Sequence, residues 1–188
     1  MWDIDWKSRA DALIQSVLLS GADKAGIISS HEIVLDRSFR EMCASNVCGN
    51  YGRCWMCPPD VGDIDILMNR LEGYNLVLVY QTIQEMKKSN DYDEMLQAGD
   101  IHNRIAQKLR SVFVEAGIQN ALHIGAGGCR LCSICAKKLG QPCCHPKKAM
   151  PSLEAYGINV AKMAEAADME YMGRQGSVHY FGAVFFNL

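Results

Sequence analysis

The stretch Leu76-Val77-Leu78-Val79-Tyr80 decides how this chain folds. It is a continuous apolar run with the length of a strand rather than a helix. A strand that is apolar on both faces is buried on both, so the run predicts a central strand. Helical patterns lie on either side of it. Ala10, Leu13, Ile14, Val17 and Leu18 recur at helical spacing within 8–19, and Gly21 ends that helix. Ile64, Leu67, Met68 and Leu71 mark one side of a short helix over 63–72. Met95, Ile101, Ile105, Leu109, Val112 and Ala116 give a long helix over 93–116 a buried face, with Gly117 at its end. Further strands are expected at His31–Leu35, Ala121–Ile124 and Val178–Phe186, and a further helix near 158–167. Strands and helices interleave irregularly. The expected class is therefore α+β (or α/β), with one small mixed sheet flanked by helices. Residues 1–188 read as one domain, with Cys-rich loops at 43–59 and 125–146.

The 188 residues are 49% hydrophobic, enough to bury a core without disulfides. A formal net charge of −2 argues against a general nucleic-acid or membrane-surface binder. No apolar run is long enough to span a bilayer. The opening Met-Trp-Asp-Ile-Asp-Trp-Lys lacks the basic-then-apolar order of a signal peptide, so a cytoplasmic protein is expected. Cytoplasmic thiols stay reduced, and closely spaced ones are then metal ligands or redox groups rather than a disulfide framework.

There are nine cysteines, in two tight groups. Cys129, Cys132 and Cys135 have the spacing C-x2-C-x2-C. A [4Fe–4S] cube takes four thiolates, and a short loop of this spacing supplies three of them. Cys143 and Cys144 are the candidates for the fourth, with Pro146 close behind, reminiscent of the bacterial ferredoxin run. Zinc is the alternative, but it usually takes two separated C-x2-C pairs. Gly125, Gly127 and Gly128 allow close backbone approach or a tight turn, and Arg130 breaks any dinucleotide-binding glycine pattern. Arg130, Lys137, Lys138, Lys147 and Lys148 surround this group. Such cations favour a reduced cluster or dock an acidic redox partner, unless they are simply a solvated basic loop. His123 and His145 lie near the group and are left outside the ligand set. Ser152 reads as a helix N-cap, which accounts for Ser152 and Glu154 without a metal.

The first group, Cys43, Cys48, Cys54 and Cys57, reads C-x4-C-x5-C-x2-C and ends in Pro58-Pro59. Its looser spacing still allows a second cluster. It does not match the C-x3-C-x2-C run of radical enzymes that cleave S-adenosylmethionine. A thioredoxin-like reading of Cys54-Trp55-Met56-Cys57 needs a helix starting at the motif, and the two prolines oppose one.

Taken with their surroundings, the two groups resemble a known family. Its first signature resembles Cys48-Gly49-Asn50-Tyr51-Gly52-Arg53, Trp55 and Cys57-Pro58-Pro59. Its second resembles Cys129-Arg130-Leu131-Cys132, Cys135, Pro142-Cys143, Pro146 and the run Pro151 to Ile158. The family is that of predicted metal-binding proteins, domain of unknown function 2284. The resemblance implies metal binding, iron–sulfur clusters and an occurrence often in anaerobes, and it implies no reaction. It assigns Cys129, Cys132, Cys135 and Cys143 to one site and Cys43, Cys48 and Cys57 to the other. Cys54 and Cys144 depart from the family pattern, which leaves the fourth ligand of the first site open.

The expected function is that of an iron–sulfur protein with up to two [4Fe–4S] clusters, serving electron transfer or a partner enzyme's redox chemistry. A redox partner protein is expected, and no nucleic acid or membrane. Two other readings stand beside it. One is an enzyme with an open iron site that acts on a small molecule; the other is a zinc-stabilised interaction module. Nothing in the sequence fixes an oligomeric state.

Overall fold

The apolar run opens a ten-residue strand, β2 (Leu76–Glu85), at the heart of one open sheet. The computed structural model describes residues 4–87, 91–173 and 175–187. The other strands are β1 (Lys24–Ser29), β3 (Leu122–Ile124) and β4 (Ser177–Phe186), and the order across the sheet is β1-β2-β4-β3. Every strand pairing is antiparallel, where a mixed sheet was expected. Among the described residues, the one parallel contact is an isolated bridge between Gly125 and Ser152.

Side chains alternate between the two faces of a strand. Val77 and Val79 therefore enter one core, with Phe181, Ala183 and Phe185 of β4. Leu76, Leu78 and Tyr80 enter the other, with Val184 and Phe186. The second core is closed by α1 (Ile4–Leu19) and α4 (Tyr92–Glu115), which contribute Leu13, Val17, Ile105, Leu109 and Phe113. The first is closed by α3 (Ile64–Leu71), α5 (Val160–Ala166) and a 3-10 turn at Glu154–Tyr156. Covering on both faces explains why β2 reads as an unbroken apolar run. Helix starts are set by side-chain caps: Asp63 accepts from Asp65 N at 2.9 Å, and Asp91 from Asp93 N at 3.0 Å.

Two segments differ from expectation. The strand expected at His31–Leu35 lies upstream, as β1. It stops because Ser29 N donates to the Glu32 carboxylate at 2.9 Å while His31 N donates to Ser29 Oγ at 3.3 Å, folding Ser30–Glu32 into a 3-10 turn. Leu35 keeps a single bridge to Ile158. The start of the loop expected at 43–59 is instead the end of a helix, α2 (Ser38–Ala44), with Cys43 in its last turn.

Polar groups inside the second core fix the edge strand that leads to the second cysteine loop. The Tyr80 ring lies across β4 above its partner Gly182, where an added Cβ would stand 2.2 Å from the ring. Its hydroxyl pairs with His123 Nε2 of β3 at 2.8 Å. His102 of α4 stacks on the same ring at 5.2 Å and bonds Thr82 Oγ1 through Nδ1 at 2.9 Å. Beyond β3, Gly125 N donates to Pro151 O at 2.9 Å, and Leu153 N to Gly125 O at 3.0 Å. The two stems of the second cysteine loop are thereby tied together beside the sheet.

Candidate metal centre

The second loop is held from below by α4. Gln107 Nε2 donates to Lys148 O at 3.1 Å, and the Arg110 guanidinium donates to Lys147 O. Arg130 lies over Gly99, where a Cβ would meet its guanidinium at 2.7 Å, and it pairs with Asp100 at 3.1 Å. The stems of the first loop are held by Arg40 of α2, which donates to Ala155 O at 2.9 Å and to Gly62 O.

The two loops, far apart in sequence, are docked on each other. Trp55 Nε1 donates to Gln141 O at 2.9 Å. Lys137 ion-pairs with Asp60 and lies 4.3 Å over the Trp55 ring. Gly128 admits Asn50 so closely that a Cβ there would stand 2.8 Å from its amide nitrogen. Each contact joins the first loop, or Asp60 just after it, to the second.

This docking redistributes the cysteines. Cys54, Cys129, Cys132, Cys135, Cys143 and Cys144 line one cavity of about 20 Å³, with His145 at its wall. Cys54 is 2% exposed. The Cys57 and Cys135 thiols and the backbone N–H groups of Met56 and Cys129 lie near enough to its sulfur to favour the thiolate. Those neighbours, Cys57 foremost, bring the Cys54 thiol down to about 6 against the opposing effect of burial. Cys57 is pushed up by its neighbour Cys54 and by its own burial. Cys43, Cys48 and Cys57 do not line that cavity but lie within electrostatic reach of one another. The Cys43 thiol is raised mainly by burial, with the Glu154 carboxylate raising it further and Arg40 opposing it. Cys129 is raised by burial too, with Cys54 and Cys143 as its charged neighbours. Cys132 is raised by desolvation and by the nearby Cys144, Cys135 and Cys143 thiols.

The model of a family described as predicted metal-binding protein, domain of unknown function 2284, matches residues 26–186. The chain belongs to this family. The matched span takes in all nine cysteines and most of the sheet, and leaves α1 outside. No curated protein and no solved structure matches the chain.

The donors fit the family's description. Thiolates are soft ligands that suit zinc, copper(I) and iron–sulfur clusters. Among the described residues, no three His, Cys, Asp or Glu side chains stand at the spacing needed to hold a single metal ion. Cys54 has Cys57 and Cys135 as thiol neighbours, and Cys132 has Cys144, Cys135 and Cys143. Of the basic residues around the second group, Arg130 and Lys137 are committed to Asp100 and Asp60. Lys138, Lys147 and Lys148 are exposed. Beside the thiol cavity, an open cleft of about 460 Å³ is lined by Asp100, Asn103, Arg104, Arg130 and Ser133, together with Cys129 and Cys132. Trp55, Asp60, Asn50 and Glu154 acquire their places at the centre from the docking of the loops, which no local pattern announces. Among the described residues, no helix is long and apolar enough to cross a membrane.

Proposed function

We propose that this family member is an iron–sulfur protein, with up to two [4Fe–4S] clusters, that transfers electrons or supports the redox chemistry of a partner enzyme. The observation that supports this most is the gathering of six thiols from two loops around one cavity, with Cys43, Cys48 and Cys57 beside it. Six exceeds the four that a structural zinc ion takes. Clusters held by these loops supply one-electron transfer. The protein's own part is to hold the thiols, limit water and set the local charge. The α4 clamp and the Trp55–Lys137–Asp60 contact do the holding. Partial burial of Cys129, Cys135 and Cys143 limits water. Exposed Lys138, Lys147 and Lys148 form a basic rim suited to an acidic partner surface. Anaerobic purification followed by iron and acid-labile sulfide assays tests the reading. A brown protein with both in equal amounts is expected; a colourless protein with stoichiometric zinc and no sulfide refutes it.

The cleft favours a second reading, an enzyme acting on a small molecule. Its volume of about 460 Å³ is within the usual range for ligand sites, and Cys129 and Cys132 border it. Arg104 makes no ion pair among the described residues, so the cleft offers a free cation to an anionic ligand. A change in the reduced protein's paramagnetic spectrum on adding a small carboxylate, lost in Arg104→Ala, is the result this reading requires.

A further inference from the structure

A cavity of about 140 Å³ that no cysteine lines sits between the C-terminal half of α4, the turn after it, and strands β3 and β4. We propose that it binds a small monocarboxylate whose apolar body is about the size of a benzene ring, with Arg110 and His123 taking the carboxylate. Neither cysteine loop supplies a residue to its wall, and it shares none with the Arg104 cleft. The site therefore goes beyond both functional readings above and depends on neither.

Leu109, Phe113, Ile118 and Val184 form the apolar wall. All four are buried members of the second core. Phe113 is held edge-on against Phe186 at 5.5 Å, so core packing sets the wall before any ligand arrives. Val114 and Gln119, both exposed, also line the cavity and give it a mouth on the surface. An apolar cavity of about 150 Å³ with Leu, Ile and Phe in its wall admits a molecule the size of benzene.

Two polar side chains in the same cavity have donors without acceptors. His123 is only 8% exposed and lines the cavity. The buried Tyr80 hydroxyl has His123 Nε2 as its one hydrogen-bond partner among the described residues, so the hydroxyl donates and Nε2 accepts. The imidazole, kept neutral by burial, then carries its hydrogen on Nδ1. Among the described residues, Nδ1 finds no acceptor. Arg110 spends one guanidinium nitrogen on Lys147 O and makes no ion pair among the described residues. A cation and a neutral N–H donor in one apolar cavity match a single carboxylate, the acceptor that gains most from a charged donor. A second carboxylate on the ligand would be buried against the apolar wall without a partner, which is costly. Because Arg110 also holds Lys147 O, a ligand on its remaining nitrogens shares the guanidinium with the support of the second cysteine loop.

Benzoate is the probe, titrated into the full chain as purified and followed by calorimetry. It is expected to bind saturably at one site. Benzamide has the same shape without the charge and is expected to bind about tenfold or more weakly, the worth of hydrogen bonds to a charged group. That comparison uses the unaltered protein and needs no variant to fold. Arg110→Met keeps much of the side-chain stem and is expected to weaken benzoate by a similar factor while leaving benzamide unchanged, a difference that general damage to the fold does not produce. Ala121→Leu adds bulk to the cavity wall and is expected to abolish binding of both ligands, with urea unfolding showing that the variant is folded. No saturable benzoate binding overturns the proposal. So does equal affinity for benzamide, an unchanged benzoate affinity in Arg110→Met, or binding that survives in Ala121→Leu. Benzoate binding lost in Arg104→Ala but kept in Arg110→Met places the anion in the cleft and overturns it as well. Failure of the iron and sulfide assays sinks the iron–sulfur reading alone and leaves this site to the titrations.

Discussion

Replacing Trp55 by alanine tests whether docking of the two loops, rather than the core, shields Cys54. The substitution removes the 2.9 Å hydrogen bond from the indole to Gln141 O and the 4.3 Å contact with the Lys137 ammonium. A hydrogen bond of this kind contributes about 0.5–1.5 kcal/mol net. A cation over a ring at a half-exposed site contributes about 0.5–1 kcal/mol. Together they stabilise the docked arrangement by about 1–2.5 kcal/mol. Cys54 is 2% exposed, so an alkylating reagent reaches it only after the loops part. When opening is fast compared with alkylation, the observed rate follows the open population. With each 1.4 kcal/mol worth tenfold, Trp55→Ala raises that rate about 5- to 60-fold. The assay is iodoacetamide labelling of the reduced, chelator-treated protein, with the Cys54 peptide followed by mass spectrometry. Exposed Cys48 and Cys144 serve as internal standards whose rates stay unchanged. The main unfolding transition stays within a few degrees of the parent, because neither core contains Trp55. An unchanged Cys54 rate in the variant refutes the docking argument.

Gly182→Ala places a Cβ 2.2 Å from the Tyr80 ring and is expected to cost about 1–3 kcal/mol, read as a fall in melting temperature of about 2–4 °C per kcal/mol. Tyr80→Phe keeps the ring but leaves buried His123 Nε2 without its partner, a loss of about 1–3 kcal/mol in urea unfolding. Gly128→Ala pushes against Asn50 and is expected to speed Cys54 alkylation as Trp55→Ala does, with the core unfolding transition kept. Acid weakens the fold through two histidines. Burial holds His102 down to about 4 and His123 to about 3, so the unfolded chain binds more protons than the folded one below the ordinary value of 6.5. Stability therefore falls as pH drops from about 6.5 towards 4, by roughly 1.4 kcal/mol per pH unit for each histidine. Equal urea midpoints at pH 7 and pH 5 would contradict this.

The sheet was legible where burial dictates composition. Val77, Leu78, Val79 and Tyr80 are fully buried between two helical layers, and no solvent-facing position interrupts the run. The helix over 92–115 was legible because Ile105, Leu109 and Phe113 face one core at helical spacing. β1 was not. Its residues Lys24-Ala25-Gly26-Ile27 carry a weak strand signal, and its place comes from pairing with β2 at Lys24↔Gln81 through Ser29↔Leu76. The segment His31–Leu35 carried the stronger local signal, since Ile33 and Leu35 do pack on the core. Its backbone was claimed by the Ser29–Glu32 capping box. Nor does sequence pattern set the direction of β3, an edge strand of three residues fixed antiparallel by its pairing with β4.

At the centre, the inventory of thiols was legible, and the cavity that gathers six of them from two loops was not. Spacing along a loop reports which sulfurs can reach one another through that loop's own backbone. It is silent on a sulfur delivered by another loop. Cys54 illustrates the difference. Within the first loop it is the near neighbour of Cys57, linked by the Cys57 N–H bond to Cys54 O at 3.0 Å, so a local reading groups the two. Cys54 nonetheless lines the cavity of the second loop's thiols, and Trp55, one residue on, is bonded to Gln141 of that loop. The same docking commits Lys137 to Asp60 and removes it from the free basic rim, which a count of charges along 130–148 includes. A metal held by the inner thiols therefore senses fewer uncompensated cations than the sequence suggests: Lys138, Lys147 and Lys148 remain exposed, and Arg130 and Lys137 already face carboxylates. Partial neutralisation near an anionic centre stabilises its more reduced, more negative state less than five free cations would. Lys137→Met should accordingly disturb loop docking, exposing Cys54 and orphaning Asp60, more than it changes the centre's affinity for electrons.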